Sequence, residues 1–169
     1  LPESDVSGAG AAYVAKMRNV QLLKWAEKIC NNEALTHISG MTSLRQVICY
    51  NATADDAGFS ALSGSDALEY ILAQRCDFIT RTTVEAFSQL PNLKRLNVGG
   101  EKLADDDLEP LSRFPALQEM WPTFFGDGAY RHVGQVSQLK RLVNMYCKET
   151  GDEATEHIRG LQELRKYHV

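Results

Sequence analysis

Residues 88–96 read SQLPNLKRL, and 24 residues later residues 112–120 read SRFPALQEM. Around Leu93 the apolar residues Val84, Phe87 and Leu90 precede at steps of three, which suits a helix face, while Leu96 and Val98 follow at three and five, which suits a strand. The same template fits around Leu44, Leu68, Leu117, Leu139 and Leu164. These anchors are separated by 24, 25, 24, 22 and 25 residues. A weaker seventh copy opens the chain, with Val14, Met17 and Val20 leading to Leu23. Self-similarity at such a period restricts the chain to a stack of like units, because one unit this short cannot bury its own apolar face.

A second column supports the same frame. Asn32, Asp56, Asp105 and Asp127 each lie three residues before the first apolar helix position, and Asp152 holds the same place in the last repeat, where Thr155 stands at that position. Their side chains accept hydrogen bonds from free N–H groups and suit the positive end of a helix, so the spacing predicts them as N-caps. Arg81 interrupts the column, with Thr80 and Thr82 beside it as alternative caps. Each unit is then a short strand, a turn, a capped helix and a return.

The segments LRQVIC, LEYILA, LKRLNV, LQEMWP, LKRLVN and LRKYHV resemble the LxxLxL core of the leucine-rich repeat family. The loop and helix halves TADDAGFSAL, LADDDLEPL and TGDEATEHI are similar to its cysteine-containing and bacterial subclasses, whose convex side is helical. The expected architecture is an α/β leucine-rich repeat solenoid of six to seven repeats of 22–25 residues, with a parallel sheet on the concave face and helices on the convex face. Residues 1–169 are expected to form one such domain, a helix over about 11–22 serving as its cap or degenerate first repeat. Pro122 stands at a core strand position and cannot donate to a ladder, so strand regularity should falter there.

Within each LxxLxL segment the leucines point inward and the residues between them point out of the sheet. One outward column is Ile48, Leu72, Asn97, Trp121, Val143 and His168; beside it runs Gln46, Tyr70, Arg95, Glu119, Arg141 and Lys166; past the last anchor lies Tyr50. Aromatic and aliphatic groups next to arginine match the composition of protein-interface hot spots. The candidate partner-binding residues are therefore Ile48, Tyr50, Tyr70, Leu72, Arg95, Asn97, Trp121, Phe124, Arg141 and Val143. Phe124 enters through the shortened repeat WPTFFGDGAY, where it and Trp121 suggest an aromatic ridge, while Phe125 takes the turn position that Cys76 and Cys147 hold elsewhere.

Other chemistry finds little support. The net charge is -4 and no run of Lys or Arg offers a footprint for nucleic acid or anionic lipid. No apolar run approaches the roughly 18–20 residues of a membrane helix. His37, His132, His157 and His168 lack zinc spacing, and Asp105, Asp106 and Asp107 read as a first helical turn rather than a calcium loop. No metal, cofactor or catalytic residue is expected, so the chain reads as non-enzymatic, with another protein as its partner. The alternative is a substrate-recognition segment of a larger enzyme or effector, such as a ubiquitin-ligase adaptor or a bacterial effector, roles that the resemblance implies. Four cysteines without CxxC read as reduced thiols and tilt the compartment towards the cytoplasm, with secreted and periplasmic locations left open. The last repeat ends in a strand segment, and such an open parallel edge is a candidate for self-association.

Overall fold

A computed structural model describes residues 6–169; residues 1–5, the start of the expected domain, lie outside the described residues. Seven strands form one parallel sheet in chain order: β1 (Leu22–Ala26), β2 (Gln46–Tyr50), β3 (Tyr70–Gln74), β4 (Arg95–Gly99), β5 (Glu119–Pro122), β6 (Arg141–Val143) and β7 (Lys166–His168). Paired positions differ by 24, 24, 25, 24, 22 and 25 residues from one strand to the next. The last five offsets equal the spacings of the leucine anchors, so the leucine period is the sheet register. The fold is a leucine-rich repeat solenoid with about seven repeats.

The helical side comprises α1 (Ala11–Val14), α2 (Asn32–Ile38), α3 (Asp56–Ser60), α4 (Arg81–Phe87), α5 (Asp127–Val133) and α6 (Asp152–Ile158). Between α4 and α5 the equivalent segment, Asp105–Arg113, is a 3-10 helix with Pro110 inside it. Proline removes a backbone donor and crowds the preceding turn, which accounts for the departure from α geometry. No helix among the described residues is long and apolar enough to cross a membrane.

The core lies between sheet and helices. Leu44, Leu68, Leu93, Leu117 and Leu139 are each at most 1% exposed, and Leu164 is partly buried at the outer repeat. Phe125 is buried at the turn position expected for it. At β5 the ladder shortens to two paired residues with β6, followed by an isolated bridge between Thr123 and Met145. Pro122 contributes only its carbonyl, which accepts from Met145 N–H at 3.0 Å.

Two expectations are corrected at the N-terminus. The helix over 11–22 is a single turn, and Leu22 already belongs to β1. Leu23 pairs with Val47 and not with the anchor Leu44, which moves the first repeat's frame by three residues.

The capping column is corrected too. Asn32, Asp56, Asp105, Asp127 and Asp152 are the first residues of their helical segments, and the N-cap positions are Asn31, Asp55, Thr80, Ala104, Gly126 and Gly151. Instead of capping their own helices, four members of the column reach across to the next repeat. Asn32 Oδ1 accepts from Asp55 N–H at 3.0 Å, and Asp105 Oδ1 accepts from Gly126 N–H at 2.9 Å. Asp127 Oδ1 accepts from Gly151 and Ala154 N–H at 2.7 and 3.1 Å. Asp56 binds Thr80 and Thr83 through both backbone and hydroxyl donors. Each side chain thereby supplies the acceptor that the next helix needs, and the column becomes a ladder running along the stack. At Arg81 the ladder is replaced by ion pairs to Glu85 and Glu109.

The thiols follow the same translation. Cys76 Sγ faces the carbonyl of Cys49 at 3.9 Å, and Cys147 Sγ faces that of Pro122 at 3.4 Å, so each turn cysteine leans on the preceding strand. Cys30 Sγ lies 2.7 Å from Cys49 Sγ. The Cys30 contact and burial push the Cys49 thiol up, and burial pushes Cys76 up to about 12. The thiolate is the reactive form, so these groups are inert at neutral pH. Cys30, Cys49 and Cys76 are fully buried, whereas Cys147 is half-buried. A maleimide added to the native protein is expected to label Cys147 alone within minutes, and all four thiols after denaturation. Mass spectrometry of digested, labelled protein checks this; rapid native labelling at Cys49 or Cys76 contradicts it.

Candidate functional site: the concave sheet face

Strand alternation places Val47, Cys49, Ile71, Ala73, Leu96 and Val98 in the core and leaves their neighbours on the opposite, concave face. Three cation and aromatic pairs recur across it. Lys24 Nζ lies 5.3 Å from the Tyr50 ring centroid, the Arg95 guanidinium 4.9 Å from that of Tyr70, and the Arg141 guanidinium 5.3 Å from that of Trp121. In each pair the charged group itself sits over the aromatic ring, a contact that orders both side chains.

Glu119 organises the middle of the face. Its Oε2 accepts from Arg95 Nε at 2.9 Å, its Oε1 accepts from Trp121 Nε1 at 2.7 Å, and Arg141 Nη1 lies 3.1 Å from Oε1. With only 13% of its side chain exposed, the carboxylate is shielded enough for these bonds to hold four side chains in one arrangement. Burial raises the Tyr70 hydroxyl above its ordinary value, partly opposed by Arg95, so it remains a hydrogen-bond donor at neutral pH.

The structure brings Tyr50, Tyr70, Arg95, Trp121 and Arg141 onto one accessible face, with Ile48 half-buried among them. Leu72, Asn97 and Val143 share that face but are only 5%, 1% and 8% exposed. They form its floor. Asn97 Oδ1 accepts from Thr123 Oγ1 at 3.2 Å, so its polar group is used internally. The expected ridge of Trp121 with Phe124 takes another form: Phe124 stacks on Tyr146, with centroids 5.6 Å apart and planes inclined by 18°. Both lie past the strand ends with φ of 68° and 56°, in the left-handed region, and both rings are about half exposed. Trp121 instead belongs to the Glu119 cluster.

Sequence reasoning left Lys24 and Glu119 out of the site. The available signal was the position of Glu119 as the one carboxylate in its column, between Arg95 and Arg141. The acidic run has other partners: Asp106 pairs with Arg131 and lies 3.3 Å from His132 Nε2, while Asp107 Oδ2 accepts from Ala104 N–H at 2.8 Å. Among the described residues no three His, Cys, Asp or Glu side chains converge as metal ligands.

Neither a protein-family model nor a curated protein sequence matches this chain. Among solved structures it is similar to internalin C2 from Listeria monocytogenes, with 13% sequence identity and a TM-score of 0.46 over 97% of this chain and 84% of that one.

Proposed function

We propose that this chain is a non-enzymatic recognition module that holds another protein against its concave sheet face. The observation that carries the reading is the Glu119 cluster, a pre-ordered group of Arg95, Trp121 and Arg141 beside Tyr70 on an otherwise shallow surface. Ordering these side chains before binding removes entropy that association otherwise costs, about 0.5–1.5 kcal/mol for each long side chain. Aromatic and arginine side chains so placed have the character of interface hot spots. The convex helices and the buried turn thiol of Cys76 support the cysteine-containing class of leucine-rich repeat.

The test is capture of a partner from the native source with the wild-type chain and with Tyr70→Ala/Trp121→Ala as bait. Two hot spots at about 2 kcal/mol each lower affinity by roughly three orders of magnitude, enough to abolish capture. The circular dichroism spectrum of the variant should remain that of the wild type. A folded variant that captures the partner undiminished refutes the reading.

A further inference from the structure

We infer that the part of the partner seated on this face is an extended acidic segment, a reading that rests on the concave face being the recognition surface. A groove of about 430 Å³ crosses the starts of the central strands. It is lined by five cations, Arg45, Lys94, Arg95, Lys140 and Arg141, and by two carboxylates, Glu69 and Glu119. Taking these from the chain's 18 cations and 22 carboxylates leaves 13 against 20 elsewhere, so the groove is a basic strip on an acidic protein.

The internal pairing leaves positive charge over. Lys94 pairs with Glu69 at 3.0 Å, and Glu119 is shared by Arg95 and Arg141. The hydrogen bonds found for the other two cations go to neutral acceptors: Lys140 Nζ donates to Gln118 Oε1 at 3.3 Å, and Arg45 donates to the Ala67 carbonyl at 3.1 Å. In addition, Arg141 Nε is buried with no hydrogen-bond partner among the described residues.

Dimensions and charge select the occupant. From β2 to β6 the groove crosses four strand spacings, about 19 Å at ~4.8 Å each, which an extended peptide covers with about six residues. A phosphodiester strand of that length places a charge at every nucleotide. It would meet Glu69 and Glu119 within the groove and the acidic surface beyond it, whereas a peptide can space its carboxylates to avoid them.

Fluorescence anisotropy with three labelled probes tests this: an octapeptide of alternating glutamate and serine, its glutamine counterpart, and an eight-nucleotide oligothymidine. The glutamate peptide is expected to bind, with affinity falling on the order of tenfold from low to physiological salt, and the glutamine peptide to show no binding. Arg45→Glu/Lys140→Glu changes two surface residues outside the Glu119 cluster and should weaken the glutamate peptide by tenfold or more while the circular dichroism spectrum is kept. No binding of the glutamate peptide, equal binding of the glutamine peptide, tighter binding of the oligonucleotide, or indifference to the charge reversal each overturns the inference. The two readings fail separately: native partner capture that is lost in Tyr70→Ala/Trp121→Ala but insensitive to Arg45→Glu/Lys140→Glu keeps protein recognition and discards the acidic segment.

Discussion

Phe87→Ala is expected to destabilise the solenoid by about 3–5 kcal/mol, the range for truncating a fully buried aromatic ring. Phe87 closes α4, has no solvent exposure, and meets Phe59 of α3 edge to face, with centroids 6.2 Å apart and planes at 82°. The loss therefore falls on the junction of two central repeats. In a structure where each repeat contacts mainly its neighbours, stability is a sum of repeat and junction contributions, so a weak central junction separates the stack into two halves. Urea unfolding followed by circular dichroism should show a lower midpoint and a broadened or biphasic transition. Phe78, which is 49% exposed, provides the contrast: Phe78→Ala should stay within about 0.5 kcal/mol of wild type. A loss at Phe87 no larger than that at Phe78 contradicts the assigned core.

Asp56→Ala is expected to cost about 2 kcal/mol, because it removes the acceptor for four donors at once. Thr80 N–H and Thr83 N–H donate to Asp56 Oδ1 at 2.8 and 3.2 Å; the Thr83 hydroxyl also reaches Oδ1 at 2.6 Å, and the Thr80 hydroxyl reaches Oδ2 at 2.7 Å. Partial solvent access keeps the figure below the sum of four buried bonds. Burial pushes the Asp56 carboxyl up, but the hydrogen bonds from Thr83 and Thr80 together outweigh it and hold the group below its ordinary value. A carboxyl depressed in the folded state contributes its stability in full above the unfolded value near 3.9 and loses it as the pH falls through the lower folded value. The wild-type advantage over Asp56→Ala should therefore be constant at neutral pH and shrink below about pH 4. Asp56→Asn should recover part of the loss, since Asn32 occupies the preceding rung and accepts from Asp55 N–H in the same way. Chemical denaturation across pH 3–7 distinguishes these outcomes, and an advantage that grows on acidification contradicts the geometry.

Much of the fold was legible because a solenoid repeats one constraint. Every leucine anchor must return to the same place in a neighbouring unit, so residue spacing becomes strand register directly. The first repeat escaped for a specific reason: Val14, Met17, Val20 and Leu23 are all three apart, and three is both a helical step and the distance from the first to the second strand anchor. The phase of that copy was undefined until Leu23 paired with Val47. The caps slipped by one residue for a similar reason. Asn31 and Asn32, like Asp55 and Asp56, are adjacent and chemically equivalent, and only the direction of each side chain assigns one to its own helix and the other to the next.

By itself the sequence determined the repeat, the parallel order of the strands and which residues face away from the core, because these depend on periodicities along the chain. Only the tertiary structure decided which outward residues remain accessible and which charges meet. Leu72, Asn97 and Val143 point out of the sheet like their neighbours, yet packing within that face leaves them almost without exposure, as its floor. Arg45, the adjacent pair Lys94 and Arg95, and the adjacent pair Lys140 and Arg141 are separated from one another by gaps of about two repeats, which hides any basic run in the linear chain. Stacking turns each 22–25-residue separation into one strand spacing of about 4.8 Å and gathers those cations into a single groove.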